Sequence, residues 1–145
     1  MTNPRVFVVQ DPRRYRAGVL VPTHDLSSAT RYGALVTILE HNARSQQTEQ
    51  AVGTLRSYLK DFNDADSLLC VGDPNHIGWA MALAARANGG RVRTLKWEKD
   101  AGSYLAVTVQ LWDEPGADIE RKSYEETTGE DRRKTLRVRA GGTDN

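Results

Sequence analysis

The chain has 145 residues, 39% of them hydrophobic and 27% charged, and a net charge of +1. This length and composition are typical of one globular domain that buries a core without disulfides or metals, and the near-zero charge argues neither for nor against nucleic acid. No apolar run reaches the roughly 18 residues of a membrane span, no secretory signal opens the sequence, and the single cysteine cannot form an internal disulfide, so we expect a cytoplasmic protein without a membrane partner.

The first predicted element is a strand. Arg5–Gln10 is rich in β-branched and aromatic residues, and an Asp-Pro pair ends the run. Residues 13–25 carry three arginines, a glycine and a proline, which indicates a long loop. A short ribbon at residues 19–21 is an alternative within this loop. This loop would separate the first strand from the rest of the fold.

A short helix and a second strand are predicted next. Residues 27–32 favour one or two helical turns, with Ser27 as the N-cap and Gly33 as the stop. Residues 35–39 are mostly β-branched and aliphatic, which indicates a strand. The chain would therefore return to the sheet before its first long helix.

The clearest helix is predicted around residues 47–62. Its apolar residues recur at the spacing of one helical stripe, and polar residues occupy the other positions. The stripe consists of Ala51, Val52, Leu55, Tyr58, Leu59 and Phe62. This pattern predicts a surface helix with one buried face.

A strand, a corner and a second helix are predicted within residues 67–90. Residues 68–71 are apolar at consecutive positions, as in a strand covered on both faces. Asp73 is placed to cap the next helix, and Pro74 suits its first turn. That helix, residues 75–87, is apolar almost all round, which indicates burial on more than one side.

The last predicted element is a hairpin. Residues 92–97 and 104–112 flank a turn at residues 99–102. Apolar and polar residues alternate along the second arm, which predicts one face turned to the core and one to solvent. The apolar members of this alternation are Leu105, Val107, Val109 and Leu111.

The order of these elements predicts the fold class. Helices that alternate with strands indicate an α/β fold with a mixed, partly parallel sheet, about two main helices and a C-terminal antiparallel hairpin. We assign residues 1–112 to this single domain, which holds 13 Lys and Arg against 10 Asp and Glu, a net charge of +3. Residues 113–145 hold 7 against 9, a net charge of −2, and lack apolar periodicity, so we predict a charged, flexible tail.

Two stretches of the sequence resemble a known group of proteins. Residues 61–97, DFNDADSLLCVGDPNHIGWAMALAARANGGRVRTLKW, and the shorter residues 7–11, FVVQD, resemble short uncharacterised α/β proteins encoded by tailed bacteriophages. These proteins carry no established activity, so the resemblance implies no catalytic or binding residue. It implies a viral origin and action in the cytoplasm of a bacterial host.

The Gly72-Asp73-Pro74 corner is a candidate anion site. It follows a strand and begins a helix, where α/β sheets place ligands and where backbone N–H groups suit phosphate. Gly72, Asn75 and His76 would contribute to such a site. However, the segment matches neither common phosphate-binding glycine motif, and Asp73 would compete for the same N–H groups. The alternative is structural: a glycine that permits the corner, an aspartate that caps the helix, and a proline that begins it.

Basic and aromatic residues on the hairpin form the main candidate binding surface. They are Arg91, Arg93, Lys96, Trp97 and Tyr104, and the loop residues Arg13, Arg14, Tyr15 and Arg16 add a second basic-aromatic patch. Cations and aromatic rings on strands hold single-stranded nucleic acid by phosphate contacts and base stacking. The alternative is a solvated edge hairpin whose charges discourage aggregation. A binding role predicts that Arg91, Arg93 and Lys96 share one exposed face.

Metal and catalytic patterns are weak in this sequence. The three histidines have no metal-ligand spacing, and Cys70 lies between apolar neighbours, as an inert core thiol does. Asp61, Asp64 and Asp66 would hold Mg²⁺ only if two carboxylates converged, and a solvated turn explains them as well. We therefore predict no catalytic residue, no metal and no cofactor.

The sequence favours binding over catalysis. We expect a non-enzymatic phage accessory protein that binds a host or viral macromolecule, foremost a protein, through the basic-aromatic surface. One alternative is a single-stranded nucleic-acid-binding protein. Another is a small nucleotide- or phosphate-binding enzyme at the Gly72-Asp73-Pro74 corner, which requires that Asp73 does not cap its own helix. The edge hairpin would also allow oligomerisation.

Overall fold

The fold combines a five-stranded sheet, a two-stranded ribbon and three helical segments. The structure, a computed structural model, describes residues 3–113. Its elements in chain order are β1 (Arg5–Gln10), β2 (Arg13–Arg16), β3 (Val19–Pro22), a 3₁₀ helix (Ser27–Tyr32), β4 (Ala34–Leu39), α1 (Thr48–Leu59), β5 (Ser67–Leu69), α2 (Pro74–Ala87), β6 (Arg91–Glu98) and β7 (Ser103–Gln110).

The main sheet has the strand order β4-β1-β5-β6-β7. Its first four strands run parallel, because long connections that contain a helix carry the chain from one to the next. Only β7 is antiparallel, since a tight turn joins it to β6. The predicted fold class, a mixed sheet with two main helices and a C-terminal antiparallel hairpin, is confirmed.

Each face of the main sheet carries its own buried cluster. On the helix face, α1 and α2 pack over side chains of β1, β5 and β6 that include Phe7, Leu68 and Val92. On the opposite face, the 3₁₀ helix places Ala29 against a smaller cluster from the same strands, including Val8 and Leu95. The residues of β1 from Val6 to Gln10 are all buried, so β1 is covered on both sides.

The connections reverse direction between β1 and β5. From β1 the chain moves outward to β4, whereas from β5 it moves the other way to β6. The carboxyl ends of β1 and β5 therefore border a topological switch point, where open α/β sheets commonly bind ligands. The Gly72-Asp73-Pro74 corner and the ribbon β2–β3 both lie next to this end of the sheet, which we call the carboxyl edge.

Two details of the N-terminal third differ from the sequence-based expectations. Residues 13–16 form strand β2 of the ribbon, in place of a loop, because they pair antiparallel with Val19–Pro22 across a turn at Ala17-Gly18, both with positive φ. Ser27 does not cap the 3₁₀ helix; its backbone N–H donates to Asp25 Oδ1 at 3.0 Å, and Leu26 occupies the cap position.

Both predicted long helices form, but α2 is buried along one face only. α1 buries Ala51, Leu55 and Leu59, and Phe62 is buried just beyond its end. Tyr58, predicted to be buried, is 42% exposed, because it lies on the rim of a stripe that is wider than the helix's contact with the sheet. α2 begins at Pro74 with Asp73 as its N-cap, as predicted. Its buried residues are His76, Ala80, Ala84 and Ala85, whereas Gly78 and Ala82 are exposed, so the expected burial on more than one side is wrong.

Residues up to Trp112 form one compact unit. The predicted flexible tail, residues 113–145, lies outside the described residues except for its first position. The assignment of that segment as a tail therefore stays a prediction.

Candidate interaction surface

The predicted basic surface on β6 is divided between the two faces of the sheet. Side chains alternate along a strand, so Arg91 and Arg93 lie on the face of Leu95. Lys96 lies on the helix face, opposite Leu105 on β7. The expectation that Arg91, Arg93 and Lys96 share one exposed face is therefore wrong. An odd and an even position of one regular strand point to opposite faces.

Arg91 and Arg93 also make contacts within the fold. Arg91 Nη1 lies 3.2 Å from Asp64 Oδ2. Arg93, which is partly buried, donates from Nε to Ser67 Oγ and from Nη2 to the Ala65 carbonyl, both at 2.9 Å. These bonds tie β6 to the segment before β5, so both guanidinium groups have structural partners. Their role in binding stays a prediction.

The aromatic residues of the hairpin form one contact pair with unequal exposure. Trp97 and Tyr104 face each other across the ladder, with ring centroids 5.1 Å apart in an edge-to-face arrangement. Tyr104 is buried, and this burial raises the pKa of its hydroxyl. Trp97 remains 46% exposed. Of the two predicted aromatic contacts, only Trp97 is available to a partner.

The second basic-aromatic patch forms strand β2 of the ribbon. Arg13, Arg14, Tyr15 and Arg16 are all exposed, and the Tyr15 ring contacts the His41 ring edge-on at 5.4 Å. Arg13 Nη2 lies 2.6 Å from Asp11 Oδ2, and this bond lowers the pKa of the Asp11 carboxyl. Because side chains alternate along a strand, Arg13 and Tyr15 lie on one face of the ribbon and Arg14 and Arg16 on the other, so this patch is divided as well.

A groove of about 720 Å³ lies between the ribbon and the carboxyl edge. Its lining includes Arg13 and Arg14 from the ribbon, but also the carboxylates Asp11 and Asp73. Two positive and two negative side chains give these four residues no net charge. The charged side chains of the lining therefore do not mark this groove as a phosphate site.

The Gly72-Asp73-Pro74 corner is occupied by its own hydrogen bonds. The Asn75 N–H donates to Asp73 Oδ1 at 2.8 Å, which lowers the pKa of Asp73, and the Asp73 N–H donates to Gln10 Oε1 at 2.9 Å. The Asp73 carboxylate therefore engages the Asn75 N–H that the predicted anion site at Gly72, Asn75 and His76 would use, and that site stays a prediction. Because Asp73 caps its own helix, the condition for a nucleotide-binding enzyme at this corner is not met.

Gln10 is a structural residue that the sequence did not reveal. Its side chain is buried at the switch point, where Nε2 donates to the carbonyls of Glu40 and Ala43 at 3.1 and 3.0 Å. Its Oε1 accepts from Asp73 and lies 2.9 Å from Nδ1 of the buried His76. Since Oε1 is an acceptor, Nδ1 of His76 carries the proton. Gln10 thus joins the two connections that border the switch point and lines the groove beside it.

Glycine at position 72 is required by this packing. Gly72 has a φ of +120°, and a Cβ there would lie 2.5 Å from Gln10 Cβ. Both the backbone conformation and the close approach therefore exclude a side chain. The glycine serves the architecture of the corner.

The predicted acidic cluster does not converge on a cation site. Asp66 is fully buried and forms an ion pair with Arg5 at 2.8 Å, whereas Asp64 pairs with Arg91 on the surface. No group of three or more His, Cys, Asp or Glu suited to a metal occurs within residues 3–113. Burial raises the pKa of Cys70 to about 11, which keeps its thiol protonated at neutral pH.

The outer strand β7 carries the most extensive exposed apolar surface on the sheet. Its alternating residues Leu105, Val107, Val109 and Leu111, which we call the β7 stripe, lie on the helix face. Leu105, Val107 and Leu111 are 43%, 47% and 49% exposed, although the alternation predicted their burial. The prediction is wrong because α2 packs on β6 and β1 and leaves most of the stripe uncovered.

The absence of charged residues from β7 is a sequence signal for this exposed surface, although the alternation alone indicates a core strand. Residues 103–112 contain no Asp, Glu, Lys, Arg or His. Natural edge strands usually carry a charge, a proline or a bulge that prevents pairing with another chain. β7 is eight residues long and pairs without interruption along β6, so it has none of these protections.

Comparison with family profiles gives a match over most of the chain. The profile of a family described as phage Pam3 gp32-like protein matches residues 4–111. No curated protein and no solved structure matches the chain. The resemblance to phage proteins that the sequence indicated is confirmed, and it extends over the whole sheet. Among residues 3–113, no helix is long and apolar enough to cross a membrane.

Proposed function

Because the chain belongs to the phage Pam3 gp32-like family, we propose that it is a non-enzymatic phage accessory protein that binds a host or viral protein. Its binding surface is the outer side of β7 together with the β7 stripe, which we call the β7 edge. The observation that supports this proposal is the exposure of Leu105, Val107 and Leu111 along a strand whose outer side has no neighbouring strand within the described chain.

The chemistry of the β7 edge suits a protein. A strand at the border of a sheet offers backbone N–H and C=O groups to an added strand, and apolar side chains beside it supply specificity. A large exposed apolar patch on a natural protein commonly marks an interaction site. Without a cover, an edge of this kind is prone to aggregation. A protein partner satisfies both the backbone and the apolar side chains.

Nucleic acid does not suit this edge. Binding to nucleic acid requires cations against phosphates, and residues 103–112 contain none. Two of the three cations on β6, Arg91 and Arg93, bond within the fold on the other face of the sheet. Lys96 is the one β6 cation on the helix face, where it lies opposite Leu105. We therefore place the protein partner at β7 and not at the basic residues of β6.

Photo-crosslinking in phage-infected cells tests this proposal. Leu111→benzoylphenylalanine places a photoreactive group on the β7 stripe, and Tyr58→benzoylphenylalanine on α1 is the control, since the two native side chains are 49% and 42% exposed. We expect a discrete protein adduct at position 111 and none at position 58. Equal yields at both positions, or an adduct with nucleic acid at position 111, would overturn the proposal.

The ribbon supports a second candidate function, the binding of single-stranded nucleic acid. Tyr15 is 67% exposed and available for base stacking, and the exposed arginines on both faces of its strand offer contacts to phosphates. Labelled single-stranded DNA should bind at low salt and dissociate as salt rises. The double variant Arg14→Glu/Arg16→Glu should weaken this binding at least about tenfold, while Arg56→Glu on α1 should not. An unchanged anisotropy of the labelled DNA at 50 mM salt would remove this candidate.

A further inference from the structure

We propose that the protein bound at the β7 edge is a second copy of this chain. The two copies of β7 pair antiparallel about a two-fold axis at Thr108 and join the two sheets into one. This inference rests on the proposed use of the β7 edge for protein binding, and it names the partner.

Alternate residues of β7 direct their backbone N–H and C=O groups away from the sheet, and three of these residues are left for a partner within residues 3–113. The Leu111 N–H donates to the Gly90 carbonyl at 2.6 Å, so odd-numbered residues of β7 direct their N–H and C=O groups toward β6. Even-numbered residues direct theirs away from the sheet. The Tyr104 carbonyl already accepts from the Tyr32 hydroxyl at 3.1 Å. Among the residues that the structure describes, the outward positions left for a partner are therefore Ala106, Thr108 and Gln110.

These three positions fix the register of a symmetric pair. A two-fold axis at Thr108 sets Thr108 opposite Thr108 of the second copy and Ala106 opposite Gln110 of the second copy. Each of these pairs is of the hydrogen-bonded type, in which two residues exchange both N–H···O=C bonds. Every outward backbone group of the three residues then has a partner.

The same register brings the exposed apolar side chains together. Leu105 lies opposite Leu111 of the second copy, and Val107 lies opposite Val109 of the second copy. All of them are on the helix face of the joined sheet, and Leu105, Val107 and Leu111 each lose a solvent-exposed surface. On the other face, Thr108 meets Thr108, a favourable cross-strand pair. The β7 stripe is therefore complementary to itself.

Charge and symmetry favour a second copy over other occupants. In an antiparallel self-pair, a charged residue on β7 would lie near the same charge on the second copy and repel it. Residues 103–112 carry no charge, so this repulsion does not arise. The other border of the sheet is β4, and pairing of β7 with β4 of another copy would be heterologous, which builds open chains and not closed dimers. Pairing of β7 with β7 closes after two copies.

Sedimentation equilibrium of the full-length protein tests the dimer. We expect wild type to have the mass of two chains at micromolar concentration, and Val107→Lys to have the mass of one, with unchanged near-UV circular dichroism. Val107 is 47% exposed, so the lysine is tolerated in the single chain. Tyr58→Lys on α1 is the control and should stay dimeric. A wild type with the mass of one chain at 100 µM, or with the open-ended masses of β7-to-β4 assembly, would overturn the proposal.

Disulfide trapping tests the register in a way that does not depend on a disruptive lysine. In a Cys70→Ala background, Thr108→Cys places two thiols at the two-fold axis, within the distance that a disulfide spans. We expect mild oxidation to link Thr108→Cys, and the double variant Ala106→Cys/Gln110→Cys, into covalent dimers, but not Ala106→Cys alone. Ser57→Cys on α1 is the exposed control. Cross-linking of Thr108→Cys no faster than of Ser57→Cys would overturn the two-fold axis at Thr108.

The outcomes separate this inference from the proposed function. If purified protein is a single chain but position 111 yields an adduct with another protein in infected cells, protein binding at the β7 edge stands and the second copy is excluded. If the adduct at position 111 is a dimer of this chain, both are supported. If the protein is a single chain and position 111 yields no adduct, both fail.

Discussion

Gln10 is the residue on which the carboxyl edge depends most. Its amide bonds both the loop after β4, through the Glu40 and Ala43 carbonyls, and the start of α2, through the Asp73 N–H and His76. One side chain at the switch point thus satisfies polar groups from two connections that run in opposite directions. A buried amide with all its partners in place stabilises a single arrangement of these loops.

Removal of the Gln10 amide should destabilise the fold strongly. Gln10→Leu keeps the approximate volume but leaves the buried polar groups that Gln10 satisfies without partners, and we expect a loss of about 3 kcal/mol in the free energy of unfolding. Urea titration with an unchanged m-value measures this loss. Gln50→Leu, at an exposed position of α1, is the matched control and should change stability by less than about 0.5 kcal/mol. Equal midpoints for the two variants would contradict this role for Gln10.

The importance of Gln10 could not be predicted from the sequence. A glutamine at the end of a strand is unremarkable locally, and its partners lie about 30 and more than 60 residues away along the chain. The division of Arg91, Arg93 and Lys96 between two faces was predictable, since it follows from strand alternation alone. Side chains that act through distant contacts are the ones that a local pattern does not reveal.

An ion pair between the partly exposed Arg5 and the buried Asp66 joins strands β1 and β5. Arg5 begins β1, and Asp66 immediately precedes β5; Asp66 accepts from the Arg5 backbone and guanidinium and from the Asn63 N–H. Asp66 is fully buried, whereas Asp64, which pairs with Arg91, has a side chain that is 64% exposed. The same residue type two positions apart thus fills two different roles.

The two aspartates should therefore differ in their contribution to stability. Asp66→Ala leaves the Arg5 guanidinium and the Asn63 N–H without their acceptor, and we expect a loss of about 3 kcal/mol. Asp64→Ala removes an exposed pair that water screens, so its loss should be under about 1 kcal/mol. Chemical denaturation of both variants measures the difference. A cost for Asp64→Ala that equals or exceeds that for Asp66→Ala would show that burial does not set the strength of these pairs.

The cap of α2 should give a pH-dependent contribution to stability. The hydrogen bond from the Asn75 N–H lowers the pKa of Asp73 in the folded chain. A carboxylate with a lowered folded-state pKa stabilises the fold above its unfolded pKa, about 3.9, and this contribution is lost as the pH falls through the folded value. Asp73→Ala should thus lower Tm at pH 7, with a difference from wild type that shrinks below about pH 4. Asp73→Asn, which caps without charge, is the control. A Tm difference of the same size at pH 7 and pH 3 would contradict this account.

The helices and strands differ in how far their sequence determines their environment. The block from β5 to α2 was predictable because its signals are local: a run of apolar residues, an aspartate cap and a proline in the first turn. For β7, the alternation correctly gave a strand with two unlike faces. It could not tell whether a helix covers the apolar face, because that depends on where α2 packs after the sheet has assembled.

At the scale of the whole molecule, the family match and the folded unit coincide. The match covers residues 4–111, and the compact unit ends at Trp112, so β7 and its exposed stripe belong to the region that the family profile matches. Within residues 3–113, helices cover the middle of the sheet, whereas β7 has no neighbouring strand on its outer side and most of its stripe is exposed. A second copy would complete the sheet without any further element.

Association through β7 should make the stability of the protein depend on its concentration. If only folded chains pair, each tenfold rise in concentration stabilises the folded state by mass action, and Tm should rise by about 2–4 °C. Scanning fluorimetry from 1 to 100 µM measures this slope. Val107→Lys should have a flat profile that meets the wild-type curve at low concentration, because it removes the pairing and leaves the single chain intact. A flat wild-type profile, or the same slope in Val107→Lys, would place any association of this protein on a surface other than β7.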